Sequence, residues 1–187
     1  MPNLDTLKLF SSDEVVNAPM LPTKFLCLKR MTICLSLGPF PWSFDYFSLV
    51  SFLDASPSLE TLSLDVSDQR MEHESVFGGS SDLRQIPEQR HYCLKNIKMT
   101  GFSSAKSLVE LTCYIIKNAV SLECLSLNTL NGFRCSGDAG SRNRIGCAPQ
   151  SNNILREATR AVAAIGMYIE DKVPPTVNCS GALHAVP

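Results

Sequence analysis

No stretch of this sequence is apolar for long enough to cross a bilayer. The longest apolar segment, Ala161 to Ile169, has nine residues, against the roughly 20 a spanning helix needs. The start, MPNLDTLKLF, lacks a basic leader and carries Asp5 and Lys8 inside it, so it does not read as a secretory signal peptide. An excess of one charge is missing too. Seventeen Lys+Arg against eighteen Asp+Glu leave a formal net charge of -1, so no global field draws the chain to nucleic acid or an acidic membrane. Cys-x-x-Cys is absent, the nearest His/Cys pair being His91-Tyr92-Cys93, and tetrahedral zinc sites normally bring their ligands in close pairs. Without a secretory signal, the eight cysteines are expected as reduced thiols, in the cytoplasm or nucleus.

Catalytic patterns are equally scarce. His73, His91 and His184 sit in polar or terminal contexts and belong to no nucleophile, metalloprotease or phosphate-loop motif. Gly78-Gly79 and Gly137-x-x-Gly140 read as turns, because neither has the strand-to-helix setting of a phosphate cradle. Arg134, Arg142, Arg144, Arg156 and Arg160 cluster without interleaved aromatics beyond Phe133, which favours a solvated loop over a nucleic-acid contact. The expectation is a non-enzymatic chain with no catalytic, metal or cofactor site.

What is present is a repeating unit. In Gly101 to Leu130, apolar Leu108, Leu111, Ile115, Ile116 and Ala119 fall on one helical face. From Leu122 the pattern becomes Leu-x-x-Leu-x-Leu (Leu122, Leu125, Leu127), which suits a short strand with one buried face. The same frame starts at Leu4, Leu28, Leu59 and Leu94. A helix followed by this frame is the signature of a leucine-rich repeat. Phe44, Phe47, Val50 and Leu53 predict a second helix, ended by Ser56-Pro57. Leu155, Ala158, Val162, Ile165 and Ile169 predict a last one over 154–171.

The expected fold is therefore α/β: an irregular leucine-rich-repeat solenoid of about five strand-containing repeats, with helices on the convex side and a C-terminal capping helix. It spans 1–177, with 66–91 and 131–153 as loop insertions and 178–187 as a divergent, disordered tail. A solenoid of this kind needs terminal caps, and no cap is evident before Leu4. Either a neighbour covers that end, or the chain is a truncated or vestigial fragment that is unstable or self-associating alone.

In each frame the second and third apolar residues point inward, so those beside them face the concave side. They are Thr6 and Lys8, Arg30 and Thr32, Thr61 and Ser63, Asn96 and Lys98, and Cys124 and Ser126. Concave sheets are where solenoids bind protein partners, and Lys8, Arg30 and Lys98 favour an acidic peptide segment.

Three stretches resemble plant F-box/leucine-rich-repeat proteins of the FBD-related group: DYFSLVSFLDASPSLETLSLDV (45–66), GFSSAKSLVELTCYIIKNAVSLECLSLNT (101–129) and LREATRAVAAIGMYIEDKVPPTV (155–177). The resemblance implies the substrate-binding part of an F-box protein of a Skp/cullin/F-box ubiquitin ligase. The F-box itself does not appear in these residues, so no direct docking on the adaptor is expected. The implied partner is a protein, a ubiquitination substrate, rather than nucleic acid or membrane.

Overall fold

The computed structural model describes residues 4–12, 24–36, 44–66, 73–78, 82–129 and 152–181. Within them run six strands: β1 (Thr6–Ser12), β2 (Arg30–Ser36), β3 (Thr61–Val66), β4 (Asn96–Thr100), β5 (Cys124–Asn128) and β6 (Asn178–Gly181). Helices α1 (Val50–Ala55), α2 (Lys106–Asn118) and α3 (Asn152–Tyr168) accompany them, with 3-10 turns at Tyr46–Leu49 and Glu170–Lys172. The strands form one sheet in chain order, every neighbour parallel. β1 and β6 are its two edges and do not pair with each other, so the sheet is open.

The Leu-x-x-Leu-x-Leu frames set the register. Leu7, Met31, Leu62, Ile97 and Leu125 stand side by side across five strands, and so do Leu9, Ile33, Leu64, Met99 and Leu127. From β2 to β5 these residues are all buried, whereas Thr61, Ser63 and Asp65, which alternate with them along β3, are not. A one-residue slip would send every one of them into water, and burying a single Leu is worth about 1.5–3 kcal/mol. α2 lies behind this layer, with Leu108, Leu111 and Ile115 at 0% exposure.

A second ladder runs along the strand starts. The carbonyl of Asp5 accepts the N–H groups of Lys29 and Arg30, Lys29 accepts from Glu60 and Thr61, Glu60 from Lys95 and Asn96, and Lys95 from Glu123 and Cys124. The residue before each of these strands thus alternates in charge (Asp5, Lys29, Glu60, Lys95, Glu123), and Lys95 Nζ lies 3.0 Å from Glu123 Oε1. That hydrogen bond, reinforced by the Glu123 and Glu60 charges, raises Lys95 above its ordinary value. Such like-with-unlike stacking disfavours skipping a repeat.

Four expectations need correction. The sheet has six strands, not five: Asn178–Gly181, assigned to the tail, pairs in parallel with β5, because backbone hydrogen bonding needs no leucine. The helical stripe before Pro57 is a 3-10 turn followed by a short α1, burying Tyr46, Leu49, Val50 and Leu53 while Phe44 and Phe47 are only half-buried. α3 starts at Asn152, inside the expected 131–153 loop, and ends at Tyr168, before the predicted 171. Finally, the expected 66–91 insertion starts inside β3, while its described residues beyond that strand are irregular and mostly exposed. Val66 is buried in β3, and the described parts of the stretch are strapped across the outer face of α2. Residues 13–23, residues 130–151 and the tail from 182 lie outside the described residues. No helix among the described residues is long and apolar enough to cross a membrane.

The strap explains why α2 buries polar groups that its apolar stripe does not predict. Ser75 bridges Ala105, and Lys106 N–H donates to Glu74 O. Further on, the Asn118 side chain accepts from Gln89 N–H at 3.0 Å and donates to Pro87 O at 3.1 Å, and Lys117 Nζ reaches Ile86 O. Arg84 is the central tie. Its N–H and its guanidinium both meet Glu110, at 2.9 and 2.7 Å, while the guanidinium also pairs with Asp45 and lies over the Phe47 ring.

Candidate partner-binding face

The strand register assembles the ten residues singled out in the sequence into two rungs on the uncovered face of the sheet. Thr6, Arg30, Thr61, Asn96 and Cys124 form one; Lys8, Thr32, Ser63, Lys98 and Ser126 form the other. None is buried: Thr6, Lys8, Arg30, Asn96 and Lys98 are exposed and the rest half-buried. The sixth strand lengthens both rungs, by Asn178 and Ser180.

A third rung escaped sequence reasoning: Phe10, Cys34, Asp65, Thr100 and Asn128. Its signal was available, since each residue lies two positions beyond a member of the second rung. The frame's third leucine simply is not the end of the strand. This rung brings an aromatic ring 77% exposed at Phe10 and a carboxylate at Asp65.

The face is less basic than Lys8, Arg30 and Lys98 suggest. Arg30 Nη2 pairs with Asp5 Oδ2 at 2.8 Å, and its Nε donates to Thr6 Oγ1 at 3.3 Å. Both partners are exposed, so the pair adds little stability, but it cancels the Arg30 charge locally. Lys98 forms no ion pair among the described residues. Burial, then the nearby Asp65 charge, pushes the Cys34 thiol up, with Lys8 opposing.

Two polar clusters sit on the helix side. Ser104 Oγ lies 3.5 Å from His73 Nε2, and the same Nε2 is 3.3 Å from Glu157 Oε1. A nucleophile relay needs the two imidazole nitrogens to face different partners. Here one nitrogen faces both, and Ser104 is fully buried, so the cluster ties the strap and α3 to the start of α2. In the other cluster His91 Nε2 is 3.0 Å from Tyr114 Oη, which donates to Asp54 Oδ1 at 2.9 Å. His91 is buried, although it ends the polar stretch expected as the 66–91 insertion.

Both clusters make stability pH-dependent. Burial, only partly offset by Asp54, pushes the His91 imidazole below its ordinary value. As pH falls, the unfolded chain takes up this proton first. The His91 contribution is therefore fully present above the ordinary 6.5 and is lost as pH drops through the depressed folded value. Burial pushes the Glu157 carboxyl up, but hydrogen bonds from His73 and Ser104 together outweigh it and hold the group below its ordinary 4.5. Its contribution disappears in a separate, more acidic window. Urea midpoints are expected to fall between about pH 7 and pH 5, and His91→Gln to flatten that slope. An unchanged slope in the variant would contradict the assignment.

Two clefts open on the described surface. An apolar one of about 390 Å³ opens beside β6, lined by Leu125, Leu127, Ile165, Ile169, Val173 and Val177. It lies where the two inward rungs shrink to Cys179 and Gly181. A polar one of about 360 Å³, lined by residues including Asp45, His73, Arg84, Lys106 and Glu110, mixes both signs of charge. No cluster of three or more metal-ligating side chains occurs among the described residues.

Parallel strands in chain order, each set by a Leu-x-x-Leu-x-Leu frame, with helices behind and a polar face left open, define a leucine-rich-repeat domain, a class that works by binding other proteins. The chain belongs to the plant At1g61320/AtMIF1 LRR domain family, whose model matches residues 1–180. That family description carries no F-box or FBD element. No curated protein and no solved structure matched the chain.

Proposed function

We propose that this domain is the recognition module of a leucine-rich-repeat solenoid and that its open sheet face docks an extended segment of a partner protein. The observation that supports this most is the pair of polar rungs spanning six strands without one buried member, on a sheet whose other face is packed. From β2 to β5 a buried rung backs the face residues and holds their positions, which lowers the cost of binding. Charge reversal at Lys98 together with Ser63→Arg is expected to abolish capture of partners from plant extract. Lys117→Glu, on the strap side, should leave capture intact. Equal capture by all three proteins would sink the proposal.

That the partner is a substrate of a Skp/cullin/F-box ubiquitin ligase rests on the sequence resemblance of 45–66, 101–129 and 155–177 alone. The chain is expected not to bind the Skp adaptor by itself and to confer substrate ubiquitination only when joined to an F-box. A second reading, self-association through the β6 edge, is favoured by the apolar cleft beside that strand. It predicts a mass in sedimentation that rises with concentration.

A further inference from the structure

Four buried side-chain oxygens have no hydrogen-bond partner among the described residues: Ser48 Oγ, Ser56 Oγ, Asp65 Oδ1 and Glu110 Oε2. Two are hydroxyls beside α1, and Glu110 Oε2 lies 2.7 Å from Arg84 Nε. Asp65 is the one on the open face, on the third of six strands. With one oxygen shut away from water and without a donor, the Asp65 carboxylate is poorly solvated, so a cation reaching this half-buried group from the open face gains more than it would beside a fully hydrated carboxylate.

Its setting narrows what that donor is. Asp65 stands in register with Thr100, and Lys98 with Ser63, so the carboxylate and the ammonium are diagonal neighbours on adjoining strands. Yet they form no salt bridge, and Lys98 forms none with any other described carboxylate. Arg30, by contrast, is satisfied by Asp5. Lys8, on the edge strand, also forms no ion pair among the described residues; inside that edge the face carries its unsatisfied charges as a pair of opposite sign near its middle, flanked by small uncharged side chains: Thr32, Thr61, Ser63, Asn96 and Ser126. A purely acidic segment would meet Lys98 and be repelled by Asp65; a purely basic one would suffer the reverse.

We infer that the open face selects an extended peptide segment carrying a basic and an acidic residue close together, the basic one donating to Asp65 and the acidic one pairing with Lys98. This rests on the reading of that face as the docking surface, and it replaces a merely acidic partner with one of mixed charge. Asp65 acts as the discriminating residue, because its short side chain is half-buried against the sheet whereas Lys98 carries its charge on a long flexible stem.

The probe is a phage-displayed library of random linear peptides panned against the full chain and against Asp65→Asn, Lys98→Glu and Ser63→Arg, each checked for unchanged thermal unfolding. The wild type is expected to enrich peptides with adjacent basic and acidic residues. Asp65→Asn should weaken them about tenfold or more and relax the basic position only. Lys98→Glu should relax the acidic position, and Ser63→Arg should abolish enrichment. A wild-type motif that is acidic only, lost in Lys98→Glu and unchanged in Asp65→Asn, would overturn the inference while leaving the docking face in place. Peptides that bind Ser63→Arg and Lys98→Glu as well as wild type would overturn both. Failure of the wild type to enrich any motif would also overturn the inference.

Discussion

Replacing Gly101 by alanine is expected to cost about 3 kcal/mol or more, the largest single-residue loss in the described chain. Gly101 follows β4 directly and has φ +74°, a left-handed conformation that costs a side-chain-bearing residue roughly 1–2 kcal/mol. The greater part is steric. A Cβ there would stand 2.1 Å from the carbonyl oxygen and 3.1 Å from the carbonyl carbon of Val66. Val66 ends β3 and is 3% exposed, so its backbone cannot retreat without parting β3 from β4. The urea midpoint of Gly101→Ala measures the effect, and a loss below about 1 kcal/mol would show that the strand ends are not packed as described.

Arg84→Ala ranks second. Glu110 is 1% exposed, and Arg84 supplies its only charge partner among the described residues. Breaking a buried pair from one side typically costs about 3–5 kcal/mol, because a charge is left in a medium that cannot solvate it. Arg84 is itself about half exposed, at 45%, so water can enter where the guanidinium leaves and the lower end of that range is expected. The strap should loosen with it: amides of residues 82–90 are expected to exchange faster in Arg84→Ala while those of β3 and β4 are unaffected. Arg84→Ala combined with Glu110→Leu should recover most of the loss, since the stranded charge is then gone. No recovery would mean that Arg84 acts through Phe47 and Asp45 instead.

The frames were legible in the sequence because a strand with one buried face writes its register directly into the spacing of its leucines. Aligning Leu4, Leu28, Leu59, Leu94 and Leu122 by that frame places Leu7, Met31, Leu62, Ile97 and Leu125 together, which is the pairing the sheet adopts. The same arithmetic placed ten residues on the open face. It failed at β6, whose inward positions are Cys179 and Gly181: the strand is held by backbone hydrogen bonds to β5, and those leave no trace in side-chain hydrophobicity. The strap was illegible for a different reason. Its grip on α2 and α3 comes from Arg84, His73 and His91 meeting Glu110, Glu157 and Tyr114 across 23 to 84 residues of chain, and polar pairing at such separations has no period. Asp65 was missed because the frame was taken to end at Leu64, one residue before it.

Lysine reactivity with and without a bound partner tests the open face most directly. Lys8 and Lys98 stand on it, while Lys117 and Lys172 contact the strap and the end of α3. With an enriched peptide bound, acylation read by mass spectrometry is expected to fall at Lys8 and Lys98 and to stay unchanged at Lys117 and Lys172. Protection of Lys117 or Lys172, with Lys8 and Lys98 still fully reactive, would place the partner on the helical side and contradict the account.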